Sequence, residues 1–108
     1  MENQKEMQAV FSLDEVTVII KSELENISGG YYLKRTRDER LYLQKGYESL
    51  FDYAKDTFGI SRFTAVRFME INDKYSIGGY SPQIEERWKG YGSSKLTEML
   101  GLPEEILE

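Results

Sequence analysis

Ser49 to Tyr75 reads SLFDYAKDTFGISRFTAVRFMEINDKY, and a three-residue break divides it into two apolar-patterned halves. In the first half Leu50, Tyr53 or Ala54, and Phe58 recur at helical spacing and supply a buried side. Gly59 ends that run, because glycine accepts the left-handed backbone that a sharp reversal requires. Ile60 is expected to point back into the core. Ser61 is expected to cap the following helix through its hydroxyl. That second helix buries Ala65, Phe68 and Met69 or Ile71 and runs to about Tyr75. Two helices joined by a short turn that opens on glycine form a helix-turn-helix arrangement.

The residues before this stretch read as helix too. Ser12 and Glu15 make an S-x-x-E capping box, with Phe11 placed as a hydrophobic staple, so a helix starts at Leu13. Val16, Ile20, Leu24 and Ile27 follow on one face. The pair Gly29-Gly30 interrupts this pattern. It reads either as a bend between helices or as a close helix crossing, and the continuing apolar spacing favours one bent, barely interrupted helical segment reaching Leu43. Tyr31, Leu41 and Tyr42 form its apolar face. Lys45-Gly46 ends it, with a cation in the last turn and glycine after it. Residues 1–11 read as a frayed leader.

Beyond the central pair, Ile77-Gly78-Gly79-Tyr80 reads as a turn. Ser81-Pro82 opens a short helix through Trp88, proline being suited to a first helical position. Ser93 or Ser94 caps another helix carrying Leu96, Met99 and Leu100. Gly101 stops it, and Pro103 opens a last turn. No stretch reads as a strand pair. The expectation is a single all-α domain over residues 1–108, with short C-terminal helices over 81–108.

Composition narrows the chemistry. A chain of 108 residues can bury a core without staples. It has no cysteine and no histidine. Disulfides, thiolate metal sites and cysteine nucleophiles are therefore excluded, and the usual general base near neutral pH is missing. The reading is of a protein that is not an enzyme and holds no cofactor or metal. The N-terminal MENQKEMQAVFS lacks a basic region leading into an apolar stretch, so it does not read as a signal peptide, and no run is apolar enough to span a membrane. A cytoplasmic location is expected.

The net charge of −5 is unevenly spread. Residues 1–27 carry 2 basic and 6 acidic groups, residues 28–80 carry 9 and 7, and residues 81–108 carry 3 and 6. The positive part coincides with the helix pair and the stretch before it. In a helix-turn-helix the second helix enters the major groove and residues near its start meet the bases. Here the outward positions are Ser61, Arg62, Phe63, Val66 and Arg67. Arginine can pair bidentately with guanine, and serine or threonine can bond phosphate or base edges. Thr64 and Lys74 are placed as phosphate contacts. Lys34, Arg35 and Arg37 form a second basic set, read either as further phosphate contacts or as a solvated face neutralised by Lys34–Asp38 and Arg35–Glu39 pairs four residues apart. Phe63 and Val66 suit thymine methyls, a protein partner or extra core packing, and packing is the expectation for Phe63.

GISRFTAVRFMEI resembles the turn and recognition helix of bacterial helix-turn-helix proteins, including ParB-like partition proteins. Gly59, Ile60, Ser61, Arg62, Thr64 and Ala65 carry the match. The longer GGYYLKRTRDERLYLQKGYESLFDYAKDTFGISRFTAVRFMEI looks like small helix-turn-helix proteins of phages, plasmids and conjugative elements of Gram-positive bacteria. SSKLTEMLGLPEE is similar to the helix that follows in such proteins. The resemblance implies double-stranded DNA as partner, in replication, partition or transcriptional control of a mobile element. The other reading is a domain that keeps this fold but docks a protein or a second copy of itself.

Overall fold

In a computed structural model, residues 12–24 and 26–100 are described, and they form an all-helical domain. Five α-helices follow in order: α1 (Leu13–Glu23), α2 (Ile27–Asp38), α3 (Leu50–Phe58), α4 (Arg62–Tyr75) and α5 (Ser93–Met99). Short 3-10 turns at Leu41–Lys45, Ile77–Gly79 and Glu86–Trp88 connect them. Among the described residues the β pairing is a single isolated bridge between Ser76 and Ile84. The leader expected over residues 1–11, the Phe11 staple and the turn expected after Gly101 lie outside the described residues.

Local signals set the helix starts. Ser12 Oγ accepts the Glu15 N–H while the Glu15 carboxylate accepts the Ser12 N–H, both at 3.1 Å, completing the capping box of α1. Ser49 caps α3 by accepting the Asp52 N–H at 3.1 Å. Gly59 closes α3 at φ 71°. Ser61 then caps α4 by accepting the Thr64 N–H at 3.1 Å. The helix, the three-residue turn and the second helix thus stand where the sequence puts them. Ile60, expected in the core, is only half-buried.

The glycine pair behaves otherwise. The bent helix expected through residues 29–30 is instead two helices, one ending at Glu23 and the next starting at Ile27, and both glycines lie buried inside α2. A Cβ on Gly30 would stand 2.2 Å from the Phe68 carbonyl oxygen, and one on Gly29 would stand 2.3 Å from that of Glu23. Gly30 therefore serves a close crossing of α2 over the backbone of α4, and Gly29 a close approach to the backbone at the end of α1, both of which only glycine permits.

The helix expected to reach Leu43 also ends early. α2 stops at Asp38, Arg40 takes a left-handed φ of 55°, and Leu41–Lys45 continues as a 3-10 turn closed by Gly46. Further on, the helix expected over Ser81–Trp88 is replaced by a bend over 81–83, the bridge residue Ile84 and a single 3-10 turn. Its backbone finds partners across the loop rather than along a helix: Ile77 N–H donates to Gln83 O at 3.0 Å and Glu85 N–H to Tyr75 O at 2.8 Å. Pro82 favours that outcome by pushing Ser81 away from helical backbone. α5 begins at Ser93 with Gly92 at its cap position and no side-chain cap.

Two apolar clusters share α4. The main one joins Leu13, Val16 and Ile20 of α1 with Leu33, Leu41, Leu50, Tyr53 and Met69. The second holds Ile71, Tyr75, Trp88, Leu96 and Met99. Buried Asn72 sits between them and donates to Ile27 O at 2.9 Å and Ser81 O at 2.8 Å, so one side chain ties α2, α4 and the following loop together. Buried amides of this kind are tolerated because their donors are satisfied.

Candidate nucleic-acid interface

α4 is held from below by the Gly30 crossing and by the buried side of α3, and its first turn is left outermost. Ser61, Arg62 and Phe63 are exposed there. Phe63 is 68% exposed, so the packing expected for it does not occur. The reason is its position: it faces away from Ala65, Met69 and Ile71, which take the buried side of α4. Val66 is half-buried and presents little to solvent.

Arg62 on this turn and half-buried Arg67 on the next both lie over aromatic rings. The Arg62 guanidinium carbon is 4.4 Å from the centroid of Phe51 on α3, and that of Arg67 is 4.9 Å from the centroid of Phe63. A guanidinium stacked on a ring keeps its N–H edges available while losing side-chain freedom. Neither arginine is ion-paired with a carboxylate among the described residues. Phe51 had no signal in the sequence beyond its apolar character, and it is the residue that fixes Arg62. Lys55, exposed on α3 and four residues beyond Phe51, adds a cation to the same side of that helix. Glu70, one turn after Arg67, is exposed and adds a negative charge on the same helix.

The hydroxyls of the turn are largely engaged. Ser61 Oγ, besides accepting the Thr64 N–H, donates to Thr64 Oγ1 at 3.2 Å. Thr64 is half-buried. Lys74 is half-buried at the opposite end of α4, about 18 Å along the axis from Arg62 at 1.5 Å per residue. It therefore does not join the cluster at the first turn.

The second basic set comes apart. Lys34 is only 2% exposed. Its ammonium donates to Asp73 Oδ1 at 2.6 Å and to the Gly79 carbonyl at 2.7 Å, and stands 4.9 Å from the Tyr80 ring centroid. Lys34 is a structural tether between α2 and the end of α4, and the phosphate contact expected of it is excluded by that burial. Its partner is Asp73, not the Asp38 that helical spacing suggests, because Lys34 faces α4. Arg35 pairs with Glu39, as the spacing suggests, and also donates to Tyr31 Oη at 3.1 Å. Arg37 pairs with Asp38 at 2.8 Å. That hydrogen bond raises the Arg37 pKa further and holds the Asp38 carboxyl below its usual range. Arg35 thus takes the expected Arg35–Glu39 pair, while Arg37 takes the carboxylate that helical spacing assigned to Lys34. Asp38 also accepts from Tyr80 Oη at 3.0 Å; loss of solvation around that hydroxyl, with the adjacent carboxylate, pushes Tyr80 up to about 12.

A separate groove of about 770 Å³ runs between the start of α2, the middle of α4 and the start of α5, with Ile27, Phe68, Ile71 and Leu96 on its walls. Its charged liners are occupied within the fold: Glu23 accepts from Asn26 at 3.0 Å and Ser28 at 2.9 Å, and Lys89 pairs with Glu86. No helix among the described residues is long and apolar enough to cross a membrane.

Comparison with protein-family models, curated proteins and solved structures brings no match.

Proposed function

We propose that the first turn of α4 docks on duplex DNA, as the reading helix of a helix-turn-helix module with a role in replication, partition or transcription of a mobile element. The observation that supports this most is the pair Arg62 and Arg67, each stacked on a ring and without an ion pair among the described residues, with Arg62 exposed on the first turn and Arg67 half-buried on the second. Arg62, Arg67 and Lys55 form the electrostatic footprint, and the backbone N–H groups at the start of α4 add a partial positive charge that favours phosphate.

A footprint of two or three cations is small. Binding is expected at low salt only, with log affinity falling against log salt at a slope of about −2 to −3 per bound chain. Fluorescence anisotropy on a labelled duplex across a salt series measures it. Arg62→Ala combined with Arg67→Ala should abolish the binding while circular dichroism shows an intact fold. Unchanged binding in that double variant would remove α4 from the interface.

The exposure of Phe63 favours a second reading, in which the same turn docks a protein or a second copy of this chain. It predicts no salt-dependent duplex binding and a concentration-dependent sedimentation coefficient that Phe63→Ser abolishes.

A further inference from the structure

Resting on the duplex reading, we infer that Phe63 and Arg67 act as one unit that selects a thymine lying in the same or an adjacent base step as a guanine. Three observations carry this. Phe63 is the most exposed ring of α4 and has no role in either core. Its ring lies against the Arg67 guanidinium at 4.9 Å. The two residues are four apart, on one face of the helix.

Each part has one chemical counterpart in the major groove. A phenylalanine ring offers neither donor nor acceptor, and the one apolar group on a base edge there is the C5-methyl of thymine. A guanidinium presents a flat fork whose counterpart is the O6/N7 pair of guanine. With Phe63 covering one face of that fork, Arg67 is held edge-on, the attitude that a bidentate contact needs. Side chains four apart on a helix stand about 5–6 Å from each other. Base pairs stack about 3.4 Å apart. The two contacts therefore fall within one or two base pairs. Arg62, held on Phe51 of the neighbouring helix, is left to the phosphate backbone.

The test begins with selection of binding sites from a random duplex library at low salt, using the full chain. Enriched duplexes are expected to share a thymine within one step of a guanine. Replacing that thymine by deoxyuridine removes only the methyl and should weaken binding about fourfold, the equivalent of one buried carbon group. In Phe63→Ala the same replacement should have no effect. Replacing the guanine by 7-deazaguanine should weaken binding about tenfold in the parent chain and not in Arg67→Ala. Duplex binding that depends on salt and on Arg62 but ignores the thymine methyl overturns this inference and leaves the duplex reading standing. Absence of salt-dependent binding to any duplex overturns both. Because Phe63 is exposed, its alanine variant should keep the parent thermal unfolding curve, which separates a lost contact from a lost fold.

Discussion

Tyr80 shows how a single side chain near the surface can carry the pH response of a loop. Its hydroxyl donates to Asp38, and its ring sits beside Tyr31 at 5.4 Å and under the Lys34 ammonium. The fold holds the Tyr80 proton up to about 12, whereas the unfolded chain releases it near 10. Between those values the native state binds more protons than the unfolded one, so stability falls as pH rises through this window. Tyr80→Phe should flatten that alkaline fall, measured as the urea midpoint at pH 9 and 11. Asp38 works in the opposite sense: its depressed pKa stabilises the fold above the ordinary value of 3.8 and ceases to do so as pH drops below it. The sequence placed Asp38 in a pair with Lys34. Which lysine, arginine or tyrosine meets a given carboxylate depends on how α2 rotates against α4, and spacing within one helix does not carry that information.

The elements divide cleanly by the range of the forces that shape them. Helix starts at Ser12, Ser49 and Ser61, and the stop at Gly59, are settled within four residues of chain, and these were legible, whereas Gly46 closes a 3-10 turn and not the helix expected to end there. The non-helical chain after Tyr80 is settled by partners more distant in sequence, Gln83 for Ile77 and Tyr75 for Glu85, and it was not. The Gly29-Gly30 pair is the clearest case. As local signals, two glycines argue for a weak helix, each costing about 1 kcal/mol against alanine. Here they remain helical because the space against the Phe68 backbone at Gly30, and against the Glu23 and Leu24 backbone at Gly29, is closed to any side chain. Gly30→Ala, favourable for an isolated helix, should instead destabilise the protein by about 3 kcal/mol through overpacking against backbone that cannot step aside. Chemical denaturation reads this directly, and a neutral or stabilising result would mean that α2 and α4 are further apart than the geometry states.

For the whole molecule, the division of the core around α4 sets how it unfolds. Trp88 is the chain's one tryptophan and belongs to the second cluster, against Tyr75 at 5.0 Å. Far-UV circular dichroism reports all the helices and so weighs mainly the first cluster. Because Met69, Ile71, Asn72 and Tyr75 lie on one continuous helix, the clusters are expected to melt together, and the two probes should give coincident urea transitions. An earlier fluorescence transition would show that Ile71–Met99 opens as a unit of its own. All-α architecture and the capped start of α4, with Arg62 exposed on it, could be read from the order of residues. The size of the cationic face could not, since burial withdrew Lys34 and local pairing withdrew Arg35 and Arg37.

The enclosure of Lys34 has one more consequence, and it concerns covalent chemistry. An amine-directed acylating reagent reaches the heads of Lys21, Lys45, Lys55, Lys89 and Lys95 from bulk water, but the Lys34 nitrogen is shut behind Asp73 and Gly79. Under native conditions its acylation can proceed only when the segment around Ile77–Gly79 lifts away from α2. Its labelling rate, followed by peptide mass spectrometry, is thus a clock for that opening, and Asp73→Ala should make the clock run faster while leaving the other lysines at their original pace.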